Sequence, residues 1–211
     1  MTCAHSLRRK QEVSGLTVIE LMVVVAVVAV LAALAAPSLR DFMARQRVAA
    51  VNAELVTDLK FARSEAVARN REVYVTFRID SSPGSPPMSC YTIHTLGVVG
   101  SCDCSKPPGE ACDVVEEVVE IKTVQVLKST NVSLLPTSWP ADFVGFTGTR
   151  GFAFWSGHRP ANAGYSTDWE DFAVGVASSI SGALRTSVAI TGMSQVCSPD
   201  GSMAAVARCA E

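Results

Sequence analysis

Glu20 is the residue whose surroundings most clearly indicate a functional role. It is the one ionisable side chain in the 21 residues from Leu16 to Ala36, and every other member of that run except Thr17 is apolar. A lone carboxylate is costly to bury in an apolar setting, so it needs a cationic partner or a specific role. The sequence therefore predicts a partner or a function for Glu20.

The cysteines are the second set of residues that could do chemistry. The chain has seven, and one of them, Cys3, lies near the N-terminus. The other six are Cys90, Cys102, Cys104, Cys112, Cys197 and Cys209. An even number in a chain that reaches an oxidising compartment favours disulfides. Cys197 and Cys209 lie far along the chain from the others and are predicted to pair, which leaves four cysteines with three possible pairings.

A zinc site is the alternative for those four cysteines, with His94 nearby, because four thiolates suit tetrahedral zinc. However, Cys102 and Cys104 are separated by one residue, which is closer than the usual ligand spacing. We therefore favour two structural disulfides that staple an inserted loop, and we expect no metal and no cofactor.

The histidines do not indicate an active site. The three of them are His5, His94 and His158, and the last lies in a Trp-Ser-Gly-His-Arg-Pro stretch typical of a turn. A hydrolase needs a nucleophile, a base and an orienting carboxylate that converge, and no spacing in this chain suggests such a group. The sequence thus predicts a protein that is not an enzyme.

The element that must position Glu20 is a helix of membrane-spanning length. About 20 apolar residues cross a bilayer, and the run from Leu16 to Ala36 has 21. Arg8, Arg9 and Lys10 precede it. By the positive-inside rule these cations hold the N-terminus in the cytoplasm, and the rest of the chain crosses outward.

The remainder predicts an α+β fold. Val48, Val51, Leu55, Leu59, Ala62 and Ala66 recur at helical spacing, which indicates one helix of about fifty residues, bent at Pro37 and ending at Asn70. Alternating residues from Val73 to Ile79 then predict a half-buried strand. Further short strands are predicted at residues 90–95, 116–127, 132–135, 143–146, 152–155, 172–177 and 184–190. One long helix followed by antiparallel sheets is an α+β arrangement.

The N-terminal residues resemble the class III signal of type IV prepilins and type II secretion pseudopilins. Gly15-Leu-Thr-Val-Ile-Glu-Leu21, the apolar run and Pro37 carry this resemblance, although Leu16 stands where Phe or Met is more usual. The resemblance implies cleavage after Gly15 by a prepilin peptidase and N-methylation of Leu16. It also implies that Glu20 meets the methylated amine of a neighbouring subunit during assembly.

The stretch from Ala62 to Val73 is similar to the helix-to-strand junction of the GspH/FimT branch of that family. This resemblance implies a leader at residues 1–15, a membrane and filament-core helix at 16–36, an amphipathic continuation at 37–70 and a periplasmic β-rich head at 71–211. It further implies an inner-membrane minor pilin that joins other minor pilins and the major pilin and primes assembly at the pilus tip. The alternative is a minor pseudopilin of a type II secretion system.

DNA uptake is a third implied role, because some FimT-type pilins bind DNA through a Gly-Arg-x-Arg element near the C-terminus. Here the corresponding place is Gly192-Met-Ser-Gln195, which lacks arginine, and Arg185 and Arg208 are isolated. Arg150 and Arg159 could form a small patch. Removal of residues 1–15 takes away three cations and one carboxylate, so the formal net charge goes from −2 to −4. An acidic mature chain disfavours DNA as a partner.

Overall fold

The computed structural model describes residues 17–80, 87–95, 102–112, 118–136, 143–155, 171–180 and 182–210, without the side chains of residues 36, 37 and 80. The chain forms two compact units, Met1–Arg40 and Asp41–Glu211, and we call the second the head unit. Helix α1 (Val18–Arg69) contributes to both units. The predicted bend at Pro37 stays a prediction.

The second half of α1 buries the apolar face that the sequence predicted. Val48, Leu55, Leu59, Ala62 and Ala66 are buried, and Val51 packs against them in part. The helix ends where the sequence placed its end. Asn70 adopts a left-handed conformation with φ 50°, and the Arg71 amide donates to the Ala66 carbonyl at 3.2 Å. Such a residue closes the last turn by satisfying carbonyls that have no helical partner.

Five antiparallel strands form the first sheet, in the order β3-β2-β1-β5-β6. Their bounds are β1 (Val73–Asp80), β2 (Met88–Thr95), β3 (Glu120–Leu127), β5 (Phe143–Phe146) and β6 (Ala153–Trp155). A short 3-10 helix, Lys128–Thr130, follows β3. The structure thus confirms the strands predicted here, within a few residues at their ends.

The second sheet has four antiparallel strands in the order β4-β7-β8-β9. They are β4 (Val132–Pro136), β7 (Phe172–Ser178), β8 (Ala183–Val188) and β9 (Ser194–Cys197). The sequence did not predict β9, because four residues with two polar side chains carry no clear alternation. Pairing along β8 defines this strand instead, in a register that sets Val188 opposite Ser194.

The core of the head unit lies between α1 and the inner faces of both sheets. One cluster of buried residues joins Leu55 and Leu59 of the helix to Ile93 of β2 and Val174 of β7. Because the helix supplies one side of this core and the sheets supply the other, neither can bury its apolar face alone.

Strand β1 departs from the predicted half-buried pattern. Tyr74 was expected on a polar face, but it is 7% exposed. It packs with Phe143 and Phe154 in a second aromatic cluster, and Phe154 lies over Gly145, where an added Cβ would be 2.3 Å from its ring. β1 lies at the centre of its sheet, so aromatic side chains of β5 and β6 can cover Tyr74 on the face away from Val73 and Val75.

Candidate functional site

The N-terminal part of α1 presents apolar side chains on all its faces. Large apolar residues from Val18 to Leu34 are exposed by between 51% and 75% of their surface. Among the described residues, Val18–Ala35 is the one helical stretch long and apolar enough to cross a membrane. So much contiguous apolar surface must be covered by lipid or by other protein.

Glu20 lies in the first turn of this helix. Its backbone amide donates to the Thr17 hydroxyl at 3.3 Å, which is the N-terminal half of a capping box. Sequence reasoning missed this contact, although the Thr17-x-x-Glu20 spacing signals it. A carboxylate in the first turn also faces the positive end of the helix dipole. Glu20 is exposed, and no other described residue forms an ion pair with it.

Three other predicted site residues lie wholly or partly outside the described part of the chain. Gly15 and Leu16 lie outside the described residues, and so does the side chain of Pro37. Cleavage after Gly15, methylation of Leu16 and the role of Pro37 therefore stay predictions.

All six cysteines of the predicted mature chain are paired. Cys197 bonds to Cys209, the pair that the sequence set apart. The other four form Cys90–Cys104 and Cys102–Cys112, which is one of the three pairings left open. The thiols required for the alternative zinc site are thus used in disulfides.

Side chains of β3 fasten the disulfide loop of residues 102–112 to the sheet. The Glu120 carboxylate accepts the amides of Gly109 at 2.7 Å and Ala111 at 2.8 Å. The Gln125 amide donates to the carbonyls of Cys104 and Lys106. Burial alone would raise the pKa of Glu120, but the hydrogen bonds from the loop hold it below its ordinary value.

A cluster of ionisable groups joins α1 to the first sheet. Asp58 is 5% exposed, and its carboxylate accepts the Tyr91 hydroxyl at 2.7 Å and the Lys122 ammonium at 2.7 Å. Lys122 also contacts Glu54 at 3.1 Å. Burial disfavours the Lys122 charge, yet the bonds to Asp58 and Glu54 outweigh it and raise the lysine pKa. Burial and Asp58 raise the pKa of Tyr91 as well.

The sequence analysis gave Asp58 no role, although the residue is buried in the structure. Asp58 is three residues from Leu55 and four from Ala62, so it shares their face. That spacing was the available signal. A buried carboxylate with two donors is satisfied, so this cluster is part of the framework.

His94 is a core histidine. It is 3% exposed, stacks on Tyr74 with ring centroids 5.7 Å apart and contacts the Thr76 hydroxyl at 3.0 Å. Burial lowers its pKa. His5 and His158 lie outside the described residues.

Comparison with known protein families matches residues 52–167, more than half of the chain, to the family described as type II transport protein GspH. The chain belongs to the GspH family. No curated protein and no solved structure matches it. The match covers the last third of α1, from residue 52, and the strands from β1 to β6, so it is independent of the N-terminal signal.

Membership in the family indicates the general role of the chain. GspH proteins are minor pseudopilins or pilins, a structural and non-enzymatic group whose members assemble with other pseudopilins or pilins. The single apolar helix at the N-terminus is consistent with a single-pass membrane anchor for such a protein. The long helix, antiparallel sheets and disulfides make this GspH protein an α+β pilin-like fold.

In this GspH protein, the residues that correspond to the DNA-binding element follow β8. Gly192, at φ 75°, and Met193 lie in the turn between β8 and β9, and Ser194 and Gln195 begin β9. Arg208 donates to the Asp200 carbonyl at 3.4 Å, and Arg185 lies on β8. Arg150 is exposed, whereas Arg159 lies outside the described residues.

Proposed function

We propose that this GspH-family protein is a minor pilin of a type IV pilus. It enters the inner membrane as a precursor with its leader in the cytoplasm and its head in the periplasm. A prepilin peptidase cuts between Gly15 and Leu16, and Leu16 is methylated. The mature protein joins other minor pilins in a complex that primes assembly and stays at the pilus tip.

The observation that carries the assembly step of this proposal is the position of Glu20. It is an exposed carboxylate in the first turn of a helix whose other surface is apolar. When lipid or neighbouring helices cover that surface, the carboxylate loses water and needs a cation. Cleavage creates an amine at Leu16, so a neighbouring subunit can supply this cation as it joins the filament.

The apolar helix suits both states of the protein. Lipid covers its side chains before assembly, and other helices cover them afterwards, so the hydrophobic term changes little between the two. Pairing of Glu20 with the neighbouring amine then helps to select one register among the packed helices.

Counting surface pili tests the proposed role. Cells that lack this gene should lose most pili, and the wild-type chain should restore them. A matched Glu20→Ala chain should restore few, because its precursor reaches the membrane but enters filaments poorly. Normal piliation in the deletion strain would contradict the pilus assignment.

A minor pseudopilin of a type II secretion system is the second candidate. The description of the matched family, type II transport protein GspH, favours it. The assembly chemistry is the same in both systems, and the exported product differs. Accumulation of folded secretion substrates in the periplasm of the deletion strain, together with normal pili, would support this candidate over the first.

A further inference from the structure

A basic groove lies on the head unit where the end of α1 meets the β5–β6 turn. It has a volume of about 460 Å³ and is lined by Lys60, Arg63, Ser64, Val67, Ala68 and Arg150. We call it the Arg150 groove. Its lining holds three cations and no carboxylate, although the mature chain as a whole carries an excess of negative charge.

The groove is held in shape by backbone contacts. Arg63 Nε donates to the Gly151 carbonyl at 3.0 Å, and the Gly151 amide donates to the Thr147 carbonyl at 2.8 Å. Gly148 packs on the helix end so closely that an added Cβ would be 2.4 Å from the Arg71 nitrogen. The turn therefore positions Arg150 against the helix without relying on the arginine side chain.

The cations of the groove are available to bind an anionic group of a partner. Within the described part of the chain, neither Lys60 nor Arg150 forms an ion pair, and Arg63 uses Nε on a neutral carbonyl. The nearby Glu65 is paired with Arg69 at 2.6 Å, so it does not neutralise the groove. Val67, which is 48% exposed, adds apolar surface between the charges.

We propose that the Arg150 groove binds an acidic, partly apolar segment of a neighbouring pilin-like subunit. Two carboxylates of such a segment contact Lys60 and Arg150, and an apolar side chain lies on Val67. The proposal rests on the proposed function only in that the chain assembles with other subunits.

A polyphosphate partner fits the groove less well. Proteins that bind DNA make on the order of 6–10 phosphate contacts, whereas this groove offers three cations. The exposed Val67 in its lining gains nothing from a phosphate backbone. Charge and apolar surface together match a protein segment instead.

Site-specific photocrosslinking of the full chain, in the cells that produce it, tests this proposal. A benzoylphenylalanine at Ser64 probes the groove, and one at Val25 probes the apolar helix. Peptide mapping should place the Ser64 crosslink on a segment of a pilin-like subunit that carries at least two carboxylates. The double variant Lys60→Glu/Arg150→Glu should lower this crosslink about tenfold and leave the Val25 crosslink unchanged.

The double variant Lys128→Glu/Arg185→Glu is the matched control. It makes the same charge change at exposed positions outside the groove, so the Ser64 crosslink should persist. Replacing the mapped carboxylates of the partner with lysine should restore the crosslink to Lys60→Glu/Arg150→Glu. A Ser64 crosslink that ignores the charge reversal, or one that falls on DNA, overturns the proposal. A Val25 crosslink to pilin-like subunits without any Ser64 crosslink overturns the groove but keeps the proposed function.

Discussion

At the scale of single residues, Asp58 connects the helix to the first sheet of the head unit. Asp58 is buried, and its carboxylate accepts hydrogen bonds from Tyr91 of β2 and Lys122 of β3. Asn52, six residues earlier, makes the matching link to the second sheet by accepting the Thr186 hydroxyl at 2.7 Å. These polar contacts fix which helix residues face which strand.

Replacing Asp58 with alanine should destabilise the head by about 2–3 kcal/mol. The substitution leaves the Tyr91 hydroxyl without its acceptor and removes the main partner of Lys122, and unpaired buried groups are costly. Urea unfolding followed by tryptophan fluorescence measures the loss, since Trp155 lies in the core. Lys60→Ala, at an exposed position of the same helix, is the control. An unchanged free energy of unfolding for Asp58→Ala would contradict the role given to this cluster.

Glu120 should make the stability of the head depend on acid. Its folded pKa lies below the ordinary value of 4.5, so its stabilising contribution is complete above pH 4.5 and is lost as pH falls through the folded pKa. The unfolding free energy of the wild type should therefore decrease below about pH 4.5, and Glu120→Gln should make that decrease shallower. Asp103 and Asp200 shift in the same direction, so part of the slope remains.

Glu110 provides the control for this pH dependence. It lies on the same disulfide loop but is exposed. Glu110→Gln should keep the wild-type pH profile. Equal slopes for Glu120→Gln and the wild type would show that the amides of the loop do not stabilise the Glu120 carboxylate.

At the scale of elements, the disulfides make a prediction about processing. Three disulfides pair six of the seven cysteines, namely Cys90, Cys102, Cys104, Cys112, Cys197 and Cys209. The remaining one, Cys3, lies in the proposed leader. Thiol titration in denaturant should therefore find no free thiol in the mature protein and one in the uncut precursor. A precursor in which Gly15 is replaced to block cleavage supplies the second sample. Free thiols in the mature protein would contradict the observed pairing.

The C-terminal disulfide should stabilise the loop that follows β9. Cys197–Cys209 closes a loop with a sequence separation of 12, for which chain entropy gives about 3 kcal/mol. The paired variant Cys197→Ser/Cys209→Ser should lose about that much unfolding free energy. Reduction should destabilise this variant less than the wild type, and equal stability of the two proteins would contradict the assignment.

The helix and most strands were predictable because their signals are local. Leu55, Leu59 and Ala62 repeat at helical spacing, and Val73, Val75 and Phe77 alternate. Strand β9 and the burial of Tyr74 depend on contacts with distant segments, which no local pattern reports. The disulfide pairing of four cysteines and the contacts of Asp58 with Tyr91 and Lys122 also arise only when separate elements meet.

The features proposed to be functional also differ in how far the sequence reveals them. Glu20 can be singled out from the sequence, because a charge within an apolar run stands out in any window, and its role stays a prediction. The Arg150 groove was not predictable, because Lys60 and Arg150 are 90 positions apart and meet through the packing of a turn on the helix end. The sequence grouped Arg150 with Arg159 instead, and the structure places Arg150 beside Lys60 and Arg63.

At the scale of the whole molecule, the exposed apolar helix and the disulfide-bonded head present different kinds of surface. The helix offers a surface that lipid or other helices can cover, and the head offers polar surfaces that can distinguish partners. Membership in the GspH family is consistent with this division. Glu20 connects the two proposed states of the helix, since its pairing would decide whether the helix stays in the membrane or joins a filament.

Incorporation of Glu20 variants into sheared filaments tests that central claim most directly. Wild type, Glu20→Ala and Glu20→Asp would be compared by quantifying the protein in the filament fraction and in the membrane fraction. We predict equal amounts of all three in the membrane, about a tenfold loss of Glu20→Ala from filaments and a partial return with Glu20→Asp, which keeps the charge. Normal incorporation of Glu20→Ala would contradict the account, because the helix would then assemble without its carboxylate.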